Sequence, residues 1–168
     1  MPTSGDSPFE LNPFSELVMQ SEANKAMYQD IPLRNPNVNP GALGPGIYYI
    51  GDLTYLNDEI LDIEDYIEAI APNNDWKNSQ SGILKTRKGV TFANFSTWCG
   101  DGCYYDNNGN EYCVDGGCIG AYPLSRDQLE ELDTVLGNVV VFDRNFTVQY
   151  DEESGVIRFD NIFIDTHP

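Results

Sequence analysis

Seven of the ten prolines fall in the first 45 residues: Pro2, Pro8, Pro13, Pro32, Pro36, Pro40 and Pro45. Each fixes φ and removes a backbone donor, so this stretch cannot supply a central strand or one long helix. It reads as an extended arm, residues 1–45, ahead of a folded domain, residues 46–168. One helix fits between Pro13 and Pro32, where Phe14, Leu17, Val18 and Met27 make a partial apolar stripe. Phe9, Leu11, Tyr28 and Leu33 extend that apolar content. Such a segment either lies along its own domain or orders on a partner.

The domain alternates short β-branched and aromatic runs with Gly, Asn and Asp clusters. Strands are expected at residues 47–50, 83–86, 90–98, 119–124, 139–142, 146–150 and 156–164. Apolar residues at Ile60, Ile63, Ile67 and Ile70 predict a helix over 57–71, capped by Asn57 or Asp58 and stopped by Pro72. Ser125 caps a second, short helix over 127–132. Cys103-Tyr-Tyr and Glu111-Tyr-Cys-Val flank Asp106-Asn-Asn-Gly-Asn, a hairpin signal. The expected class is α+β, mainly β: a small antiparallel sheet or barrel with one or two covering helices and the Pro-rich arm.

Charge narrows the partners. With 27 acids against 9 Lys and Arg, the net charge is −18. Phosphate recognition needs a basic footprint, so direct nucleic-acid binding is not expected, and anionic membrane surfaces are disfavoured too. No apolar run approaches the ~18 residues of a membrane span. The first ten residues show no basic and apolar regions of a secretory signal. The arm carries five acids and two bases, a net of −3, leaving −15 on the domain; seven of its acids lie between Asp52 and Glu68. A single histidine, His167, removes most of the ground for histidine-based triads and metal sites.

All four cysteines, Cys99, Cys103, Cys113 and Cys118, fall within twenty residues as C-x3-C-x9-C-x4-C. Three readings stand side by side. Four thiolates can close a structural zinc site, although the gaps are wider than the usual C-x2-C knuckle. Alternatively, a three-residue loop at 107–109 pairs Asp106 with Asn110 and sets Cys103 opposite Cys113, in reach of a disulfide, leaving Cys99 and Cys118 to pair. Or all four are small reduced core residues. Trp98-Cys99-Gly100 is no thioredoxin site, because the next cysteine comes one residue late and no βαβ unit surrounds it. The Asp106–Glu111 run resembles a calcium loop only superficially, and the sequons at Asn94 and Asn145 read as chance.

Three aspartates sit beside glycines at strand ends: Asp52 after Gly51, Asp101 between Gly100 and Gly102, and Asp115 before Gly116-Gly117. Asp caps turns and Gly supplies positive φ, which explains them structurally. The functional alternative is convergence on a cation or polar ligand. Tyr48-Tyr-Ile-Gly-Asp52, Gly100-Asp-Gly-Cys-Tyr104, Asp106-Asn-Asn-Gly109 and Val114-Asp-Gly-Gly-Cys-Ile-Gly-Ala-Tyr-Pro123 together resemble uncharacterised small proteins of tailed phages, cyanophages and large DNA viruses. Those carry Y-[IV]-G-D-P-C-Y, G-D-G-x-Y and V-D-[SA]-G-x-I-G motifs. Leu53-Thr54 stands where that group has Pro-Cys. No activity attaches to the group. The resemblance implies a viral gene and a mostly β domain.

The functional expectation is a non-enzymatic viral structural or interaction protein, a minor virion component tethered by its arm to other virion proteins, located in the virion or host cytoplasm. One alternative is an acidic inhibitor mimicking DNA. The other is a metal-dependent enzyme using Asp52, Asp101 and Asp115. Zinc at the cysteines is the one cofactor the residues suggest.

Overall fold

In Gly46–Gly51 successive side chains must point to opposite faces of a sheet. Tyr48, Tyr49 and Ile50 are all buried, so both faces of this strand are covered. The computed structural model, which describes residues 41–132 and 136–167, shows what covers them.

The described strands are β1 (Gly41–Leu43), β2 (Gly46–Gly51), β3 (Gly82–Lys85), β4 (Thr91–Ser96), β5 (Gly102–Asp106), β6 (Glu111–Val114), β7 (Cys118–Leu124), β8 (Asn138–Phe142), β9 (Phe146–Asp151), β10 (Val156–Phe159) and β11 (Ile162–Asp165). The helices are α1 (Ile63–Ile70) and α2 (Arg126–Glu130). Among the described residues the fold is mainly β with two α-helices, and its strands divide between two antiparallel sheets. The outer sheet runs β1-β9-β10-β11-β5-β6, and the middle sheet runs β3-β4-β7-β2-β8.

Three layers follow from the alternation. Tyr48, Ile50, Ala93, Phe95, Ile119 and Ala121 of the middle sheet join Val148, Ile157, Phe159 and Ile164 of the outer sheet in one core. Rings meet across it: Tyr48 packs edge-on to Phe146 at 5.0 Å between centroids, and Phe95 lies 6.2 Å from Phe159. The opposite face of the middle sheet offers Tyr49, Phe92, Tyr122 and Leu124 to Leu56, Leu61, Tyr66 and Ile70.

Five features differ from the sequence expectation. The first helix begins at Ile63, not near Asn57; Asp62 caps it by accepting from the Glu64 N–H at 2.8 Å. At 3.6 residues per turn, Ile60, Leu61 and Tyr66 lie at least about 100° apart around one helix, too spread for one buried stripe. A turn at 57–61, with the Ile60 and Leu61 N–H groups donating to the Asn57 carbonyl, lets all three be buried. Ile63, predicted apolar-facing, is exposed instead. The second helix ends earlier than expected, and Ser125 caps it in a full capping box with Gln128.

The expected strand 156–164 is two strands joined by Asp160-Asn161. Asp160 has φ 57°, a left-handed conformation that Asp tolerates, and Phe159 pairs with Ile162 across the loop. The sheet also starts before the expected boundary at residue 46, because Gly41–Leu43 pair with Phe146–Val148 at the edge of the outer sheet.

Gly120 marks the tightest packing of the middle sheet. A methyl group there would fall directly on the Ala93 carbonyl oxygen and 2.7 Å from Leu53 Cδ1. Backbone cannot move aside cheaply. Gly120→Ala is expected to destabilise the domain by about 1–3 kcal/mol, the usual range for overpacking, measured as a shift of the urea midpoint at unchanged m-value.

Candidate functional site

Asp52 ends β2 with its carboxylate buried, and four donors surround it. Oδ1 accepts from the Thr54 N–H at 2.9 Å and the Thr54 hydroxyl at 2.7 Å. Oδ2 accepts from the backbone N–H groups of Asp115 at 2.7 Å and Gly116 at 2.8 Å. The carboxylate therefore ties the end of β2 to the loop between β6 and β7. Charge-assisted bonds of this kind explain how a buried carboxylate is tolerated. Thr54 thus supplies both its N–H and its hydroxyl to this turn.

The other two aspartates gather near this clasp. Tyr55 donates its hydroxyl to Asp115 Oδ2 at 2.8 Å. Its phenol is pushed up to about 12 by desolvation, by that hydrogen bond, and by the negative charges of Asp115, Asp52 and Asp101. Asp52 and Asp115 thus meet at the β6–β7 loop, and Asp101 lies beside Gly117 of the same loop. Tyr55 is the final Tyr of the Y-I-G-D-x-x-Y pattern, so the motif contained it. Asp52 is directed inward, however, and its oxygens are already engaged.

The cysteines separate into two environments. Asp106 N–H donates to the Asn110 carbonyl at 3.0 Å, closing the loop 107–109 with Gly109 at φ 81°. Cys103 stands opposite Cys113, as that loop predicts, and the two are disulfide-bonded with Cα atoms 4.1 Å apart. Cys99 and Cys118 do not pair with each other; both are free thiols. Cys118 is held on the opposite side of the core, on β7, with Tyr66, Asn94 and Ser96 around it, and burial pushes its thiol up. Tyr66 donates to Asn94 Oδ1 at 3.2 Å, which places the Asn94 sequon inside the fold. The four sulfurs therefore do not converge on one tetrahedral centre. Among the described residues, the group of potential ligands that does gather is Cys103, Cys113 and Glu111, whose ligand atoms lie within 4.8 Å of one another.

Cys99 lines a surface depression with Cys103, Asp101, Asp165 and His167. The His167 ring also packs on Trp98 at 4.9 Å. Strand order brings these together: β11 pairs with β5, setting the C-terminal residues beside the cysteine hairpin. The sequence spacing carried no sign of this.

The hairpin loop is built like a clasp too. Asp106 accepts from the N–H groups of Asn108 at 2.8 Å and Asn110 at 3.0 Å and from the Tyr112 hydroxyl at 2.7 Å. It stabilises a turn and does not present the register of a calcium loop. Of the acids in the 58–68 run, Asp58, Glu59, Asp62 and Glu64 are exposed, whereas Asp65 is buried and bonded by Arg87 at 2.7 Å. The arm residues Phe9, Leu11, Phe14, Leu17, Val18, Met27, Tyr28 and Leu33 lie outside the described residues. Among the described residues no helix is long and apolar enough to cross a membrane. Compared with known protein families, curated proteins and solved structures, the chain matches none of them.

Two measurements check these assignments. Asp52→Asn replaces an acceptor facing two backbone donors by a neutral amide, and is expected to cost about 2–3 kcal/mol in chemical denaturation. Tyr55→Phe should cost less than about 1 kcal/mol, since its bond is exposed. A ligand-holding Asp52 with no structural duty would give the reverse order. Separately, hydrogen bonding to Arg87 holds the Asp65 carboxyl below its usual range. That contribution is present above the unfolded carboxylate range and is lost as pH falls through the lowered folded value. The stability difference between wild type and Arg87→Ala should therefore be largest near pH 7 and shrink toward pH 2.5, read from urea midpoints at both values.

Proposed function

We propose that this chain is a non-enzymatic structural or interaction protein, a minor component of a virus particle that attaches to another virion protein through residues 1–40. The observation that carries the reading is the entry of the arm. Gly41–Leu43 form an edge strand hydrogen-bonded to β9, so the chain ahead of them connects to the sandwich through a β-ladder. A partner held by the arm would be coupled mechanically to the whole outer sheet. The arm is near neutral with apolar residues, whereas the domain carries a net of −15. Apolar, weakly charged chain is the better contact material, and the acidic surface suits solvent exposure. The viral assignment rests on the motif resemblance around Gly51-Asp52 and Asp115-Gly116.

The two other readings draw less support. An acidic mimic of DNA needs phosphate-like rows of outward carboxylates, whereas the exposed acids here concentrate ahead of and at the start of α1 and in loops. A carboxylate-metal enzyme needs strand-end aspartates with open oxygens, and those of Asp52 already accept four hydrogen bonds.

The test is cross-linking mass spectrometry on purified particles from an infected culture. The expected result is this chain in stoichiometric, low copy number, cross-linked from Lys25 or Lys77 to another virion protein. A chain deleted for residues 1–40 should be lost from the particles. Absence of the full chain from purified particles would overturn the reading.

A further inference from the structure

The outer face of the β5–β6 hairpin carries four side chains that the core does not use. Tyr104 and Tyr112 point into the sandwich, so the alternating residues Cys103 and Tyr105 on β5, and Glu111 and Cys113 on β6, share the opposite face. Cys103 faces Cys113, and Tyr105 faces Glu111. Counting from the hydrogen-bonded Asp106–Asn110 pair, Cys103 and Cys113 form a non-hydrogen-bonded pair, where cross-strand side chains come closest.

We propose that, when the Cys103–Cys113 bridge is reduced, the two thiolates and the Glu111 carboxylate form a binding site for a thiophilic divalent cation such as zinc. The donor set is chemically suited, since zinc takes Cys sulfur and carboxylate oxygen in tetrahedral geometry. The three ligand atoms already lie within 4.8 Å of one another. Zn–S bonds of about 2.3 Å and a Zn–O bond of about 2.1 Å require donor separations of roughly 3.5–3.8 Å. Reduction frees the two sulfurs to move apart to that separation by rotation about their Cα–Cβ bonds, and the flexible Glu111 side chain swings in to meet them. Tyr105 donates its hydroxyl to Glu111 Oε2 at 2.8 Å and so orients the carboxylate from the facing strand. A carboxylate has two oxygens, so this bond and a metal bond can coexist. Behind the site, the hairpin is anchored by the buried Tyr112 and its bond to Asp106. The fourth position faces solvent.

Bridge and metal exclude each other. Two equivalents of a small thiol reduce the Cys103–Cys113 bond, giving two protein thiols and the oxidised disulfide of the reductant. Binding then forms two metal–sulfur bonds and one metal–oxygen bond and releases the two thiol protons. A reducing compartment favours the metal form and an oxidising one the bridged form. The site differs from a four-cysteine centre: Cys118 lies among Tyr66, Asn94 and Ser96, and Cys99 is outside the gathered set.

The test uses the full chain, reduced with a phosphine under anaerobic conditions and titrated with Co(II), with Zn(II) as competitor. One equivalent should bind, with a thiolate-to-cobalt charge-transfer band in the near ultraviolet, and the bridged protein should bind none. Cys113→Ser should abolish binding, and Glu111→Gln should weaken it by about tenfold or more. Cys99→Ser and Cys118→Ser should retain it. Should Cys113→Ser fail to fold, alkylation of the reduced wild type decides: Zn(II) should protect Cys103 and Cys113 and leave Cys99 labelled. No stoichiometric binding, equal affinity in Cys113→Ser, or protection confined to Cys99 and Cys118 would each overturn the proposal.

Discussion

The structure depends on the pairing of β2 with β7 in a sheet buried on both sides. Tyr48 and Ile50 fill the space between the sheets, and Tyr49 fills the space under the helices. β7 answers with Ile119 and Ala121 on one side and Tyr122 on the other. Burying aromatic rings on both faces concentrates the hydrophobic stabilisation in a few residues. The same arrangement demands small residues where backbones and side chains crowd, which is why Gly120 sits against Ala93 and Leu53. Everything else is placed relative to this pair: β4 and β8 flank it, the outer sheet closes one side, and α1 with the 53–61 turns closes the other.

Acidity is handled in two ways. Most carboxylates remain in solvent, but Asp52, Asp65, Asp106 and Asp151 are buried and bonded. A buried carboxylate is costly unless donors meet it, and each of these four has them: backbone N–H groups for Asp52, Asp106 and Asp151, and Arg87 for Asp65. Their duty is to hold strand ends and hairpin loops together. Part of the acidity of the described residues is therefore architectural.

Much of the fold was legible locally. Turn chemistry at Asn107-Asn108-Gly109 predicted the hairpin, its register and the opposition of Cys103 and Cys113. Ser125 was read correctly as a cap. The errors lay where periodicity was followed too far. The spacing of Ile60, Ile63, Ile67 and Ile70 suggested one helix, but burial of Leu61 and Tyr66 required a turn and a later start. Val156 to Ile164 read as one strand because Asp160-Asn161 is a weaker turn signal than Asn-Gly. Of the candidate site, Glu111 could have been found by its two-residue offset from Cys113 on a strand. Tyr55 lay in the motif three residues after Asp52, whereas His167 could not be found, because the pairing of β11 with β5 brings it to the cysteine hairpin.

Local conformation was legible in the residues themselves: where the chain turns, where it is capped and which segments alternate as strands. These depend on φ restrictions, side-chain to backbone bonds and periodicity, all acting within a few residues. Long-range packing set the rest: the strands split into two sheets, Asp52 is consumed by the β6–β7 loop, and Cys103 and Cys113 share a face with Glu111 while Cys118 is taken into another layer. Those outcomes depend on which faces bury against each other, and that choice is made by the packing of the whole domain.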